Sequence, residues 1–360
     1  MTRRVAYIFS GFCLFLLILY VAGSLFGTDH TRNYTVYDKI SRGMKINYLV
    51  IGDSIGRGSG AETKEMRWYS QLEALLEHYN GVKASRHSIV QSGATAFEGL
   101  YKLQNSRKLR NVDLIFIVFG ENDRKYMSPE EFSFFYEKLL RHAKTLYPRA
   151  EIVTITESCL KQDPYAEKIK QISDHYRAKN VDMRIPFKQS GLLTEELTAD
   201  MVHPNGLGYQ LYANTIHKLL RKNSQLLLPV ARLKKPLRDS LEFSLKELPE
   251  FSLKKGFDPV NGILTASQPG SFIEYEFKGT LLGIRLIRSE SGGMMNVYVD
   301  GLYVRTISTW WPLPRERFLY VTSGMTDRKH KVRFEMVKDV SPQNVSGSSI
   351  VQVSSLIVSK

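Results

Sequence analysis

YLVIGDSIGRGSG, residues 48–60, is a short apolar run that breaks into a loop crowded with glycine. The loop is either the seat of a nucleophile or a cradle for phosphate, and that choice decides the fold. A dinucleotide fingerprint needs G-x-G-x-x-G opening a helix, and a P-loop needs Lys then Ser or Thr after its last glycine. Gly56, Gly58 and Gly60 are followed by Ala61, Glu62 and Thr63, so neither pattern is met. Gly52, Ser54 and Gly56 do spell G-x-S-x-G, but a nucleophile elbow of the α/β-hydrolase type sits in mid-sheet with an oxyanion loop upstream. Nothing upstream of Ser54 supplies that loop. The serine must find its partners elsewhere in the chain.

From Lys45 to about Arg221 apolar runs alternate with amphipathic segments, which predicts repeated β-then-α units and a parallel sheet covered on both faces. The strand candidates are Ile46 to Ile51, His87 to Gln91, Val112 to Phe119, Glu151 to Thr156 and Val181 to Ile185. Val112 to Phe119 is nearly continuous in apolar residues, as a strand buried on both faces must be, and belongs at the centre. Trp68, Leu72, Leu75, Leu76 and Tyr79 share one helical face, Ser128 and Glu131 form a capping box, and Gly208 to Leu220 is the last helix. Residues 222–255, rich in lysine, read as a surface connector. Beyond Gly256 the period changes to two: Ile273, Tyr275 and Phe277 alternate with Glu274 and Glu276, and Asp300-Gly301 signals a hairpin. Residues 256–360 therefore read as a second domain, a β-sandwich.

Gly52-Asp53-Ser54 ends the first strand, Gly93 follows the second, Gly120-Glu121-Asn122-Asp123 ends the third, and Asp200-Met201-Val202-His203 precedes the last helix. In a parallel α/β sheet the carboxyl ends of the strands share one edge, where such folds place ligands. With these four blocks in this order, residues 45–221 resemble the SGNH or GDSL hydrolases. The resemblance implies a three-layer α/β/α, flavodoxin-like fold with Ser54 as nucleophile, His203 as base and Asp200 as its orienting acid. It also implies an oxyanion hole made by the backbone N–H groups of Ser54 and Gly93 and the side-chain amide of Asn122. A serine hydroxyl needs such a base, Asp200 can meet His203 across one helical turn, and glycine at 93 lets backbone approach substrate.

Other residues carry weaker readings. Asp53 caps the loop and Asp123 holds neighbouring loops, neither with a catalytic role. Glu121 and Arg124 flank Asn122 and are candidates for substrate contact, though exposed polar residues are the commoner explanation. Trp68 is a candidate for the border of the cleft, and Trp310-Trp311-Pro312 for a sugar-stacking platform, with core packing favoured for any one tryptophan. His78, His142, His175 and His217 read as surface residues and Cys159 as a small buried hydrophobe. The β-domain loosely resembles the jelly-roll modules beside some carbohydrate esterases, in SFIEYEFKGTLLGIRL and VYVDGLYV.

The chain has 360 residues, a formal net charge of +14 and two cysteines, Cys13 and Cys159. That charge favours an anionic partner, and with no basic stripe or nucleic-acid motif a nucleic acid is not expected. Neither a disulfide framework, a metal-ligand cluster nor a cofactor is expected. Val5 to Phe26 has no charged side chain and follows Arg3 and Arg4, long enough to span a hydrocarbon core of about 30 Å. Residues 1–28 thus read as a single-pass anchor with a cytoplasmic N-terminus, and residues 29–44 as a linker to an exported domain. A cleaved signal peptide is the rival, though its apolar core is usually about 7 to 15 residues. The function expected is acyl ester hydrolysis, O-deacetylation, on an extracellular or cell-envelope polysaccharide through an acyl-Ser54 intermediate. Transfer to a sugar hydroxyl, beside an integral membrane acyl donor, is the alternative. Non-catalytic glycan binding is the third reading, disfavoured because each catalytic position is present.

Overall fold

The computed structural model describes residues 34–238 and 242–359. The predicted anchor lies outside these residues, and among the described residues no helix is long and apolar enough to cross a membrane. α1 (Val36–Ser41) leads into β1 (Ile46–Gly52), α2 (Trp68–Asn80), β2 (Ala84–Val90), α3 (Ala96–Asn105) and β3 (Leu114–Val118). There follow α4 (Pro129–Leu146), β4 (Glu151–Thr156), α5 (Asp163–Tyr176), β5 (Lys179–Asp182), α6 (Arg184–Gln189), α7 (Thr194–Leu197) and α8 (Gly206–Gln225). The five strands form a sheet in the order β2-β1-β3-β4-β5, with each neighbouring pair parallel.

Alternate side chains of these strands feed opposite layers, as a strand's period of two requires. Leu49, Ile51, Ile115 and Ile117 pack in one core with α3, α4 and α5. Tyr48, Val50, Phe116 and Val118 pack in the other with α1, α2 and α8. Two apolar faces explain why β3, fully buried and central, shows no polar alternation. The capping box is present: Ser128 accepts from the Glu131 N–H, Glu131 accepts from the Ser128 N–H, and Pro129 opens α4.

Several local expectations need correction. The strand expected over Val181 to Ile185 ends at Asp182, because its carboxylate accepts from the Arg184 N–H at 3.1 Å and from the Arg184 guanidinium, starting α6 instead. The last helix begins at Gly206, where the Asn205 side chain caps the Gly208 N–H. Tyr79 is exposed at the end of α2. His217 is buried, its Nε2 2.9 Å from Asn80 Oδ1 and its ring against Tyr79. Cys159 is half-buried rather than buried.

From Leu245 on, the described residues are mostly β structure. β6 (Leu245–Leu248) and β7 (Leu253–Lys255) fall inside the stretch read as a connector and pair with later strands. They are followed by β8 (Asp258–Val260), β9 (Ile263–Ala266), β10 (Phe272–Lys278), β11 (Leu281–Arg288), β12 (Gly293–Val299) and β13 (Leu302–Ser308). The last three are β14 (Arg315–Ser323), β15 (Lys329–Val340) and β16 (Val351–Ser359). One sheet runs β13-β12-β15-β10-β7; the other runs β14-β11-β16-β9-β8, with β6 on β16. Tyr275, Val297 and Phe334 of the first meet Ile284, Val321 and Val353 of the second in one core. At the β12–β13 turn Asp300 and Gly301 both take left-handed backbone, φ 52° and 83°, which suits the right-handed twist of the hairpin.

The two parts share a core as well as a chain. Phe97 and Tyr101 of α3 pack with Phe318 and Tyr320 of β14, and the Tyr101 and Phe318 rings stack at 4.4 Å. A Cβ at Gly283 would stand 2.4 Å from the Phe97 ring, so β11 needs a glycine there for α3 to dock.

Candidate active site

The turn after β1 is closed by backbone against backbone. A Cβ at Gly52 would stand 3.0 Å from Val118, and one at Gly56 3.0 Å from the Gly52 Cα. Gly56 is therefore part of the turn's construction, and the turn leaves Ser54 buried, 7% exposed, at the carboxyl edge of the sheet. On its far side the loop meets the segment before α8. A Cβ at Gly60 would collide with the Pro204 carbonyl at 2.5 Å and the His203 Cβ at 2.7 Å, so Gly60, at φ 97°, gives the histidine loop its seat.

His203 Nε2 lies 2.9 Å from Ser54 Oγ, and Nδ1 lies 2.7 Å from Asp200 Oδ2. With Nδ1–H donating to the carboxylate, Nε2 is left to accept the serine proton. The local geometry differs from the helical turn expected. Asp200 to His203 form a bend held by the Thr198–Pro204 bridge, with Met201 in left-handed backbone at φ 68°. Asp200 Oδ1 accepts from the His203 N–H at 2.8 Å and the Val202 N–H at 3.2 Å, which orients the carboxylate before the ring binds it. Burial pushes the Asp200 carboxyl up, but these hydrogen bonds and the imidazole outweigh it and hold the group below the ordinary carboxylate range.

Gly93 takes φ 75°, left-handed backbone that favours glycine. Beside it the Gln91 N–H donates to the Gly52 carbonyl of the neighbouring strand and the Ala94 N–H closes a turn on the Gln91 carbonyl. Beside Ser54 the Asp53 N–H donates to the Val118 carbonyl, and the Ile55 and Arg57 N–H groups donate to the Asp53 carboxylate and carbonyl. Asn122 donates one amide hydrogen to Asp53 Oδ2 at 2.7 Å, which fixes the direction of the other. Asp53 also caps the loop through the Ile55 N–H at 2.8 Å, so its capping role extends to positioning Asn122. Burial pushes its carboxyl up to about 6. Asp123 joins two loops through the Ala96 N–H at 2.8 Å and is pushed by burial up to about 8. Behind both lies Glu157, fully buried, which accepts from the Glu121 N–H at 2.8 Å and is held well above its usual range by burial and by Asp53.

Two substrate-contact candidates need correction. Trp68 is fully buried, edge-on to Phe116, with its indole N–H donating to the Ile55 carbonyl at 3.0 Å. It props the nucleophile loop from beneath and presents no face to a ligand. Glu121 is buried and both its oxygens accept from Arg124, which itself stays half-exposed.

Of what the β part contributes, sequence reading offered Trp311 as a candidate for a sugar-stacking platform and missed Arg317. Arg317 of β14, 1% exposed, donates to the Gly93 carbonyl at 2.8 Å and pairs with Glu98 of α3, also 1% exposed, at 2.8 Å. Trp311 stands against the same glycine: a Cβ at Gly93 would be 3.1 Å from its Cη2. No local pattern marks an arginine between Glu316 and Phe318 as buried. Glu157 did have a signal, since it follows β4 at the sheet edge where the other site loops gather.

Residues 50–211 match the model of the GDSL-like lipase/acylhydrolase family. These residues form a GDSL-like lipase/acylhydrolase domain. The match to this family's model supports hydrolase activity. No curated protein matches the chain. Among solved structures, the chain is similar over both its parts to a two-domain esterase active on acetylated mannans, co-crystallised with mannopentaose. That match has 18% identity and a TM-score of 0.69, and covers 90% of this chain and 94% of the other. A second structure of a two-domain esterase active on acetylated mannans matches at 17% identity and a TM-score of 0.68, covering 90% and 94%. An acetylxylan esterase from Geobacillus stearothermophilus matches at 20% identity and a TM-score of 0.41, covering 49% and 94%. At this identity the two-domain likeness shows the fold: a parallel α/β sheet followed by an all-β part.

Proposed function

We propose that the protein is a serine-dependent esterase that removes acyl groups, acetyl above all, from an extracellular or cell-envelope polysaccharide. The observation that carries the reading is the continuous line Asp200 Oδ2, His203 Nδ1, His203 Nε2, Ser54 Oγ, with steps of 2.7 Å and 2.9 Å. Ser54 Oγ attacks the ester carbonyl while its proton passes to His203, and Asp200 stabilises the imidazolium. Charge developing on the carbonyl oxygen is met by the N–H groups of Ser54 and Gly93 and by the Asn122 amide. Protonation of the leaving sugar oxygen by His203 frees the alcohol and leaves acyl-Ser54. Water, deprotonated by the same histidine, then releases the carboxylic acid.

A glycan ester as substrate is supported by the fold shared with an esterase active on acetylated mannans and by Trp311 beside Gly93. The apolar run Val5 to Phe26 supports a membrane-anchored, exported location, and with it the second reading, transfer of the acyl group to a sugar hydroxyl from a membrane acyl donor. The full chain is to be assayed for acetate release from 4-nitrophenyl acetate and from acetylated mannan, with and without deacetylated glycan. Release that falls at least about 1,000-fold in Ser54→Ala is expected. Transfer outpacing release would favour the second reading, and turnover indifferent to Ser54 would sink both.

A further inference from the structure

On the β side of Gly93 a cavity of about 190 Å³ opens between the two parts, walled by Arg288, Arg305 and Arg317. Ile307 and Leu319 supply an apolar side. Guanidinium groups stay charged in proteins, and burying one without a counter-charge is costly. Arg317 is 1% exposed and gives Nε and one Nη to Glu98 and Gly93, yet its Nη1 has no protein partner. Arg288 is 7% exposed, its Nε has no partner, and it forms no ion pair with a carboxylate among the described residues; its side-chain partner is the Tyr126 hydroxyl. Arg305 donates Nη2 to the Tyr126 carbonyl at 3.0 Å but its Nε too is unpartnered. Glu98, the carboxylate facing this group, is shared between Arg317 and Lys102, at 2.8 and 2.9 Å. Burial, and then repulsion from Arg317, holds the Arg288 guanidinium below its usual range.

We infer that this cavity is a subsite for an oxyanion, a carboxylate or phosphate carried by a sugar residue of the substrate, with its planar donors aimed at the group from three sides. The volume is enough for a charged substituent with part of its ring, and the apolar wall suits the ring's C–H face. Because the cavity shares Gly93 with the proposed oxyanion hole, the anionic sugar would sit next to the acylated one; that placement rests on the esterase reading, whereas the anion site itself does not. The chain's +14 charge favours such a polymer.

Isothermal titration of the full chain at low salt with D-glucuronate, glucose 6-phosphate and methyl glucoside tests this, the two anions distinguishing carboxylate from phosphate. At least one anion should bind 10-fold or more tighter than the neutral sugar, and Arg288→Met should abolish that preference while leaving the ligand-free Tm unchanged or higher, since it removes an unpaired buried charge. Arg305→Met, at a half-buried position, is the second variant should Arg288→Met not fold. Equal affinity for all three sugars, or a preference that survives both substitutions, overturns the subsite. Hydrolysis of 4-nitrophenyl acetate, read in parallel, separates the two ideas: anion preference without hydrolysis fails the esterase reading alone, and hydrolysis without preference fails the subsite alone.

Discussion

At the residue scale, Asn122 shows how a side chain with two donors is divided between structure and chemistry. One amide hydrogen is held by Asp53 Oδ2 at 2.7 Å, so the other is aimed without freedom to rotate. Removing one preorganised oxyanion donor typically costs about 100- to 1,000-fold in kcat. Asn122→Ala should fall in that range with little change in KM, measured on 4-nitrophenyl acetate; an unchanged kcat would remove Asn122 from the oxyanion hole. The residue types were legible in sequence because the chemistry permits few substitutes. The role of Asp53 beyond a cap was not, because its partner lies 69 positions away and only the sheet edge brings them together.

At the scale of elements, α3 and β14 act as one clamp on the loop that holds Gly93. Arg317 reaches both Glu98 and the Gly93 carbonyl, and stacked Tyr101 and Phe318 keep the two elements in register. Burial pushes the Glu98 carboxyl up, but Arg317 and Lys102 outweigh this and hold it low. Breaking a buried pair from one side leaves an uncompensated charge and costs about 3 to 5 kcal/mol. Glu98→Gln and Arg317→Met should each lose stability on that scale in denaturant unfolding. The double variant should lose less than the sum, because the one charge left without its partner, Lys102, is a quarter exposed and keeps its access to water. Additive losses would mean that the two side chains do not act as a pair. Period-two alternation could place Arg317 on a strand but not say which face is covered, since β14 is covered on one side by a helix more than 200 residues earlier.

At the scale of the whole molecule, three carboxyl groups, Asp53, Asp123 and Glu157, are buried together behind the site. Each is raised above its ordinary value, so the folded state holds protons that the unfolded chain has lost, and stability falls as pH rises through the interval between the two values. For Asp123 that interval runs from about 4 to about 8. Asp123→Asn keeps an acceptor for the Ala96 N–H and cannot ionise. Its Tm relative to the parent should therefore climb by a few degrees between pH 5 and pH 9, and a difference flat across that range would show that Asp123 does not titrate with folding. By itself the sequence determined the α/β-then-β order and the central strand, because strand period and buried-strand composition are local constraints on residue type, and the resemblance carried by four short blocks in order supplied Ser54, Gly93, Asn122, Asp200 and His203 as the candidate set. Only the tertiary structure decided that Trp68 is a prop, that Glu121 is tied to Arg124, and that the β part supplies Arg317 and Trp311 to Gly93. Those outcomes depend on which surfaces meet across the sheet edge and the α3–β14 contact, and contacts between distant segments leave no periodic mark on either one.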